Sequence, residues 1–156
     1  MAWEIERKFL VTGDIYRAGA TGVLFRQGYL NSDPERTVRI RVAGDNGFLT
    51  VKGFKTDTMA AEFEYRIPLQ DARALLELCE KPLIEKTRYQ VEVDGFEWEI
   101  DEFLGDNQGL VLAEIELEEA GATFPRPEWL GEEVTDDPRY FNSSLIRNPY
   151  KNWRGK

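Results

Sequence analysis

Glu4, Glu6 and Lys8 alternate with Trp3, Ile5 and Phe9 at the start of this chain, and the same period of two recurs along most of its length. Side chains in a β-strand point to opposite faces in turn, so each such run presents one ionic and one apolar face. Runs of this kind, bounded by turn residues, predict eight strands at about 3–10, 24–30, 36–43, 47–54, 61–68, 84–93, 96–104 and 110–118. The turn signals Asp45-Asn46-Gly47 and Asp94-Gly95, with a longer loop over Gly105–Gly109, make the sheet mainly antiparallel. Helical spacing occurs near 14–19 and from Gln70 to Glu80, where Ala72, Leu75, Leu76 and Cys79 share a side and Pro82 ends the run. The C-terminal quarter has no strand pattern, and Asn142 is placed to cap a short helix through Ser143–Arg147 that Pro149 halts.

The ionic faces sort by sign. Arg39 and Arg41 stand on the third strand, Lys52 on the fourth, and Lys86 and Arg88 on the sixth. Acids dominate elsewhere: Glu4 and Glu6 beside Lys8, Glu62 and Glu64 beside Arg66, then Glu97, Glu99 and Asp101, and finally Glu114 and Glu116. For any one strand, a sheet with one wet and one packed face is the commoner arrangement. Wet faces usually mix Thr, Ser, Gln and Lys, whereas these are almost wholly ionic. The set as a whole therefore predicts a mainly β (α+β) fold, an eight-stranded antiparallel barrel closed around a charged lumen, with its apolar outer faces covered by flanking helices. Arg66 and Glu97 are expected to be salt-bridge partners at the barrel ends.

A length of 156 residues suits a single domain over 1–156. The net charge of −9 disfavours nucleic-acid and anionic membrane partners. One cysteine, Cys79, excludes an intramolecular disulfide and reads as a buried thiol. No secretion leader or membrane span is visible, so a cytoplasmic location is the expectation. The chain has no histidine, so metal binding must use carboxylates, and acid–base chemistry must use Glu, Asp, Lys, Tyr or water. Clustered carboxylate oxygens select hard cations such as Mg²⁺ or Mn²⁺, while facing guanidinium groups suit phosphate oxygens. A ligand bridging both sides must be strongly anionic and chelate metal, as linear triphosphate does.

Five ordered blocks, Glu-Ile-Glu-Arg-Lys-Phe-Leu at 4–10, Gln-Gly-Tyr-Leu at 27–30, Val-Arg-Ile-Arg at 38–41, Thr-Val-Lys at 50–52 and Glu-Ile-Glu at 114–116, resemble the CYTH superfamily of triphosphate tunnel metalloenzymes. The likeness extends to the C-terminal Tyr-Phe-Asn-Ser-Ser-Leu and Asn-Pro-Tyr segments. It implies a tunnel that binds triphosphate and a divalent metal, Mg²⁺ or Mn²⁺. By matching positions, Glu4, Glu6, Glu114 and Glu116, with Asp101 as a further carboxylate, would serve the metal. Lys8, Arg39, Arg41, Lys52, Lys86 and Arg88 would grip phosphate. Glu62, Glu64, Glu99 and Asp101 would serve either the metals or the cations. Lys8, Tyr29, Glu4 and Glu64 are the catalytic candidates, with Tyr29 paired to Lys8 and a tunnel carboxylate orienting water.

Trp129, Tyr140, Tyr150 and Trp153 read as packing aromatics rather than a base-binding pocket. The expected activity is therefore metal-dependent hydrolysis of inorganic triphosphate to pyrophosphate and phosphate. The alternatives are a nucleoside or thiamine triphosphatase, a class IV adenylyl cyclase, and a non-catalytic polyphosphate- or nucleotide-binding module. The expected partner is thus a triphosphate-bearing small molecule, with a homodimer left open.

Overall fold

In the computed structural model the backbone is described for residues 2–54, 59–119 and 121–155, and side chains for 5–53, 61–119 and 121–155. Alternation becomes strand as expected: β1 (Ala2–Val11), β2 (Gly22–Asn31), β3 (Thr37–Ala43), β4 (Asn46–Phe54), β5 (Met59–Ile67), β6 (Ile84–Val93), β7 (Phe96–Phe103) and β8 (Val111–Leu117). These strands pair antiparallel in the order β5-β4-β3-β2-β6-β7-β8-β1. β1 also pairs with β5, from Ala2 opposite Glu62 to Ile5 opposite Met59.

A ninth strand, β9 (Leu130–Glu133), was not expected in the C-terminal quarter. Leu-Gly-Glu-Glu carries no alternation to betray it. It forms because the edge of β1 is still open beyond Ile5, and β9 joins it there with Val11 opposite Leu130.

The β6–β7 turn at Asp94-Gly95 follows its signal, with both residues in left-handed backbone. The β3–β4 turn does not. It sits one residue earlier than expected, at Gly44-Asp45, with Gly44 supplying the positive φ and Ala43 facing Asn46. Gly47 instead lies inside β4 under α1 (Leu69–Leu78), where a Cβ would stand 2.7 Å from the Cβ of Ala72. This glycine serves close packing rather than a turn.

Helix α1 buries Ala72 and Leu76 on Ile40 and Val42, with Cys79 buried at its end, as its spacing predicts. It ends at Leu78, ahead of Pro82, and the expected helix at 14–19 is a single 3-10 turn at Ile15–Arg17. In the short helix α2 (Asn142–Leu145), Asn142 is the first helical residue and Phe141 takes the cap position.

The apolar outer faces are covered less by helix than expected. Irregular chain between β8 and β9 brings Phe124 and Trp129 onto Phe9, Trp98 and Ile115. Trp98 is fully buried and makes edge-on contacts with Phe9, Phe124 and Trp129, with ring centroids 5.4–5.8 Å apart. A separate apolar cluster of Tyr140, Leu145, Ile146 and Trp153 packs on Tyr29, Ile84, Phe103 and Leu112, seating the C-terminal segment against the sheet. Among the described residues no helix is long and apolar enough to cross a membrane. Truncating Trp98 to alanine should lower stability by about 3–5 kcal/mol through cavity formation, read from urea denaturation. An unchanged midpoint would mean that the outer face is not a packed core.

Candidate active site

Strand register places the ionic faces around one cavity of about 320 Å³. Because β5 pairs with β1, the acidic strands β7, β8, β1 and β5 are consecutive neighbours, as are β4, β3, β2 and β6, which carry the cations apart from Lys8. Thus two arcs of opposite charge face the same space.

Ion pairs join the arcs where they meet. Lys52 Nζ lies 3.2 Å from Glu6 and 3.7 Å from Glu62. Arg39 reaches Glu64 at 3.3 Å, and Thr50 Oγ1 donates to the same Glu64 oxygen at 2.9 Å. On the other side, Arg88 contacts Glu99 at 3.2 Å. Lys8 lies 3.6 Å from Glu114 and donates to the Tyr140 carbonyl at 3.2 Å.

The cationic wall rests on buried chemistry that composition did not reveal. Asp101 is almost fully buried and receives Lys86 Nζ at 2.7 Å and Arg88 at 2.7 and 2.9 Å, so both of its oxygens are committed to cations. It does not line the cavity, so of the two roles expected of it the place among the metal ligands is corrected, while its contacts fit the other, a counter-ion that holds the cations from behind the wall. Burial opposes its ionisation, but Lys86 and Arg88 overcome that and hold its carboxyl well below the usual range. Burial likewise lowers the pKa of Lys86, with Asp101 working against it. Burial is also the main effect on Arg41, and Arg39 and Arg88 add to it in weakening its charged form. A bound anion would relieve this crowding of like charges.

Tyr29 lines the cavity, but the pairing with Lys8 that the sequence predicts does not form: Lys8 bonds the Tyr140 carbonyl and Glu114 instead. Burial raises its pKa against the pull of Arg39, Arg41 and Lys52, so the phenol stays protonated and can donate. Burial also raises Glu99, with Arg88 opposing and Glu114 adding to the rise. The side chain of Glu4 lies outside the described residues.

Arg66 donates to Asn46 and forms no salt bridge among the described residues, so the expected end pair is not seen. Glu97 makes no ion pair among the described residues and stands opposite Glu92, where it joins Glu6, Glu116 and Glu118 around a second, acidic hollow.

Several residues at the site carried no charge signal. Phe25 stacks under both Arg41 and Arg88, at 4.7 and 4.8 Å from its ring centre. Gln27, fully buried, accepts from Arg41 Nε at 2.8 Å. Asn142, Phe141, Ser143 and Thr135 reach the cavity from the C-terminal segment. Same-face spacing with Tyr29 could have revealed Phe25 and Gln27, but nothing local marks the C-terminal group.

The acidic arc suits a hard divalent ion in its donor chemistry. Glu6 faces Glu116 across the β1–β8 pair, and Glu99 faces Glu114 across β7–β8, so like charges stand opposite one another where a cation would be favoured. Glu116 has no ion pair among the described residues, whereas Glu6 and Glu114 are already engaged by lysines. Among the described residues no three acidic groups converge to enclose an ion. A Mg²⁺ ion held by one or two carboxylates and completed by phosphate oxygens and water needs fewer.

A mainly antiparallel sheet presents facing cationic and acidic arcs around one cavity, a donor chemistry of the kind that suits a polyanion. The CYTH domain family model matches residues 2–150, and the chain belongs to that family. It is 56% identical over 155 residues to an inorganic triphosphatase of Acetivibrio thermocellus, covering 99% of each chain. It is 37% identical over 150 residues to an inorganic triphosphatase of Nitrosomonas europaea, covering 91% of this chain and 95% of the relative. The crystal structure of an inorganic triphosphatase superposes with a TM-score of 0.68 at 38% identity, covering 94% and 95% of the two chains.

The Asp101→Asn variant should be destabilised by about 3–5 kcal/mol at neutral pH, because Lys86 and Arg88 lose their buried counter-charge. The folded-state pKa of Asp101 lies below its unfolded value of about 3.9, so its contribution is full above that pH and is lost as pH falls below it. Urea titrations of wild type and variant should therefore show a full gap from pH 7 down to about pH 4, and the gap should narrow progressively as the pH falls further toward about 2. A constant gap across that range would contradict the assignment.

Proposed function

We propose that this chain hydrolyses inorganic triphosphate to pyrophosphate and phosphate with a divalent metal, Mg²⁺ or Mn²⁺, inside one CYTH domain spanning 1–156. The carrying observation is the pair of facing charge arcs around a single cavity, and the named activities of the relatives support the same reading. The β1–β5 pairing supports reading the eight long strands as a closed tunnel.

Phosphoryl transfer to water needs positioning and charge neutralisation more than covalent chemistry. Arg39, Arg41 and Arg88 offer planar forks to phosphoryl oxygens, while Lys8, Lys52 and Lys86 offer point charges. Glu6, Glu114, Glu116 and Glu4 would hold the metal, which when bound neutralises phosphate charge and polarises the phosphorus centre. Lys8 also steadies Glu114, and so links the phosphate grip to the metal side. Glu64, fixed by Thr50 and Arg39, is oriented to accept a proton from, or align, the attacking water. Protonated Tyr29 donates to a phosphoryl oxygen instead of acting as a base. Asp101 holds Lys86 and Arg88 in place without touching substrate.

With Mg²⁺ or Mn²⁺ the purified protein should release phosphate from tripolyphosphate faster than from ATP or thiamine triphosphate, and EDTA should abolish release. Replacing Arg39 by alanine should lower kcat/KM on the order of 10²-fold, as expected for loss of one preorganised donor to transition-state charge. Absence of phosphate release from tripolyphosphate between neutral and alkaline pH would refute the proposal, and pyrophosphate accumulating from ATP would instead indicate a cyclase.

A further inference from the structure

Asn142 stands where the C-terminal segment meets the cationic wall, and its side chain lines the cavity. Its Oδ1 accepts from Lys86 Nζ and from Gln27 Nε2, each at 3.2 Å. The orientation of both amides follows from the cations at either end of this chain of bonds. Arg41 can only donate, so Gln27 must turn its oxygen toward Arg41 and its NH2 toward Asn142. Lys86 can only donate as well, so Asn142 must turn its oxygen toward Lys86. The two demands agree, and flipping either amide would set donor against donor.

The consequence lies on the other half of the Asn142 amide. Its oxygen has two acceptor positions, and Lys86 and Gln27 take both. Its nitrogen has two N–H donors, and among the described residues neither has a partner. The planar amide turns these donors away from the Lys86–Gln27 pair. Asn142 is partly exposed and lines the cavity, where a ligand oxygen can take the place of water as acceptor.

We propose that Asn142 is a substrate-binding residue whose side-chain N–H donates to a phosphoryl oxygen of triphosphate at the end of the cavity built by the C-terminal segment. This inference rests on the triphosphate reading above. The surrounding chemistry favours a neutral donor at this point: Arg41, Lys86 and Arg88 already crowd one another, and a further cation would deepen their repulsion. An amide adds a directional hydrogen bond without adding charge. The segment is held in place to present it, since Lys8 donates to the Tyr140 carbonyl two residues earlier and Phe141 and Ser143 line the same end.

The decisive measurement is the NMR signal of the Asn142 side-chain NH2, assigned by its disappearance in Asn142→Asp, during titration with imidotriphosphate, whose P–N–P bridges resist hydrolysis. Its amide protons should move downfield and saturate together with the backbone amides of the cavity strands. Kinetically, Asn142→Ala should raise KM for tripolyphosphate on the order of tenfold, more than it lowers kcat. An Asn142 NH2 signal that stays still while the protein saturates overturns the inference and leaves the triphosphate reading standing. A wild-type chain that binds neither imidotriphosphate nor tripolyphosphate overturns both.

Discussion

One buried carboxylate makes the cationic wall possible. Asp101 has both oxygens engaged by Lys86 and Arg88 in a region with almost no solvent access. Two cations desolvated side by side would repel each other strongly at the low effective dielectric of a protein interior, and they persist because a third, opposite charge is locked between them. From this anchor the bonding runs outward through Lys86 to Asn142, on to Gln27 and then to Arg41. Phe25 lies beneath Arg41 and Arg88 and offers its ring face to both guanidinium groups. The groups that face the cavity are thus held by groups that do not.

The acidic arc is built in the opposite way. Its glutamates are half-exposed or exposed, and cross-strand register sets several of them against other glutamates. Where Lys52 and Lys8 reach across, they satisfy some of this charge. Glu116 lies outside those pairs. A cationic wall braced by Asp101 but still in excess of positive charge, facing a looser acidic one, suits a ligand that is itself an anion carrying a cation. On the proposed reading the first wall would hold phosphate, and the second would be completed by metal and water.

The strands were legible because alternation is a local property of the chain, and the positions of Arg39, Arg41, Lys52 and Glu64 at the cavity follow directly from it. Other features depended on partners distant in sequence. Leu130–Glu133 became a strand only because β1 offered an unfilled edge. Gly47 looks like a turn residue in the sequence, but the need for it comes from Ala72 on the overlying helix. Asp101 sat on the right face for a metal ligand, yet Lys86 and Arg88 on the neighbouring strand captured it first. Asn142 carries no charge and belongs to no alternating run, so although its segment shares in the family likeness, no local pattern points it to the cavity.

What the sequence determined by itself was the sorting of charge: which residues share a face, which strands bring acid or base, and that carboxylate and guanidinium rather than histidine or thiolate must do the chemistry. Period-two geometry converts order along the chain into order across a strand without help from the rest of the fold. Only the tertiary structure decided which charges neutralise each other behind the wall and which remain for a ligand. That choice depends on burial and on distances of a few ångströms between separate strands, where the balance of desolvation and Coulomb attraction is set by three-dimensional placement.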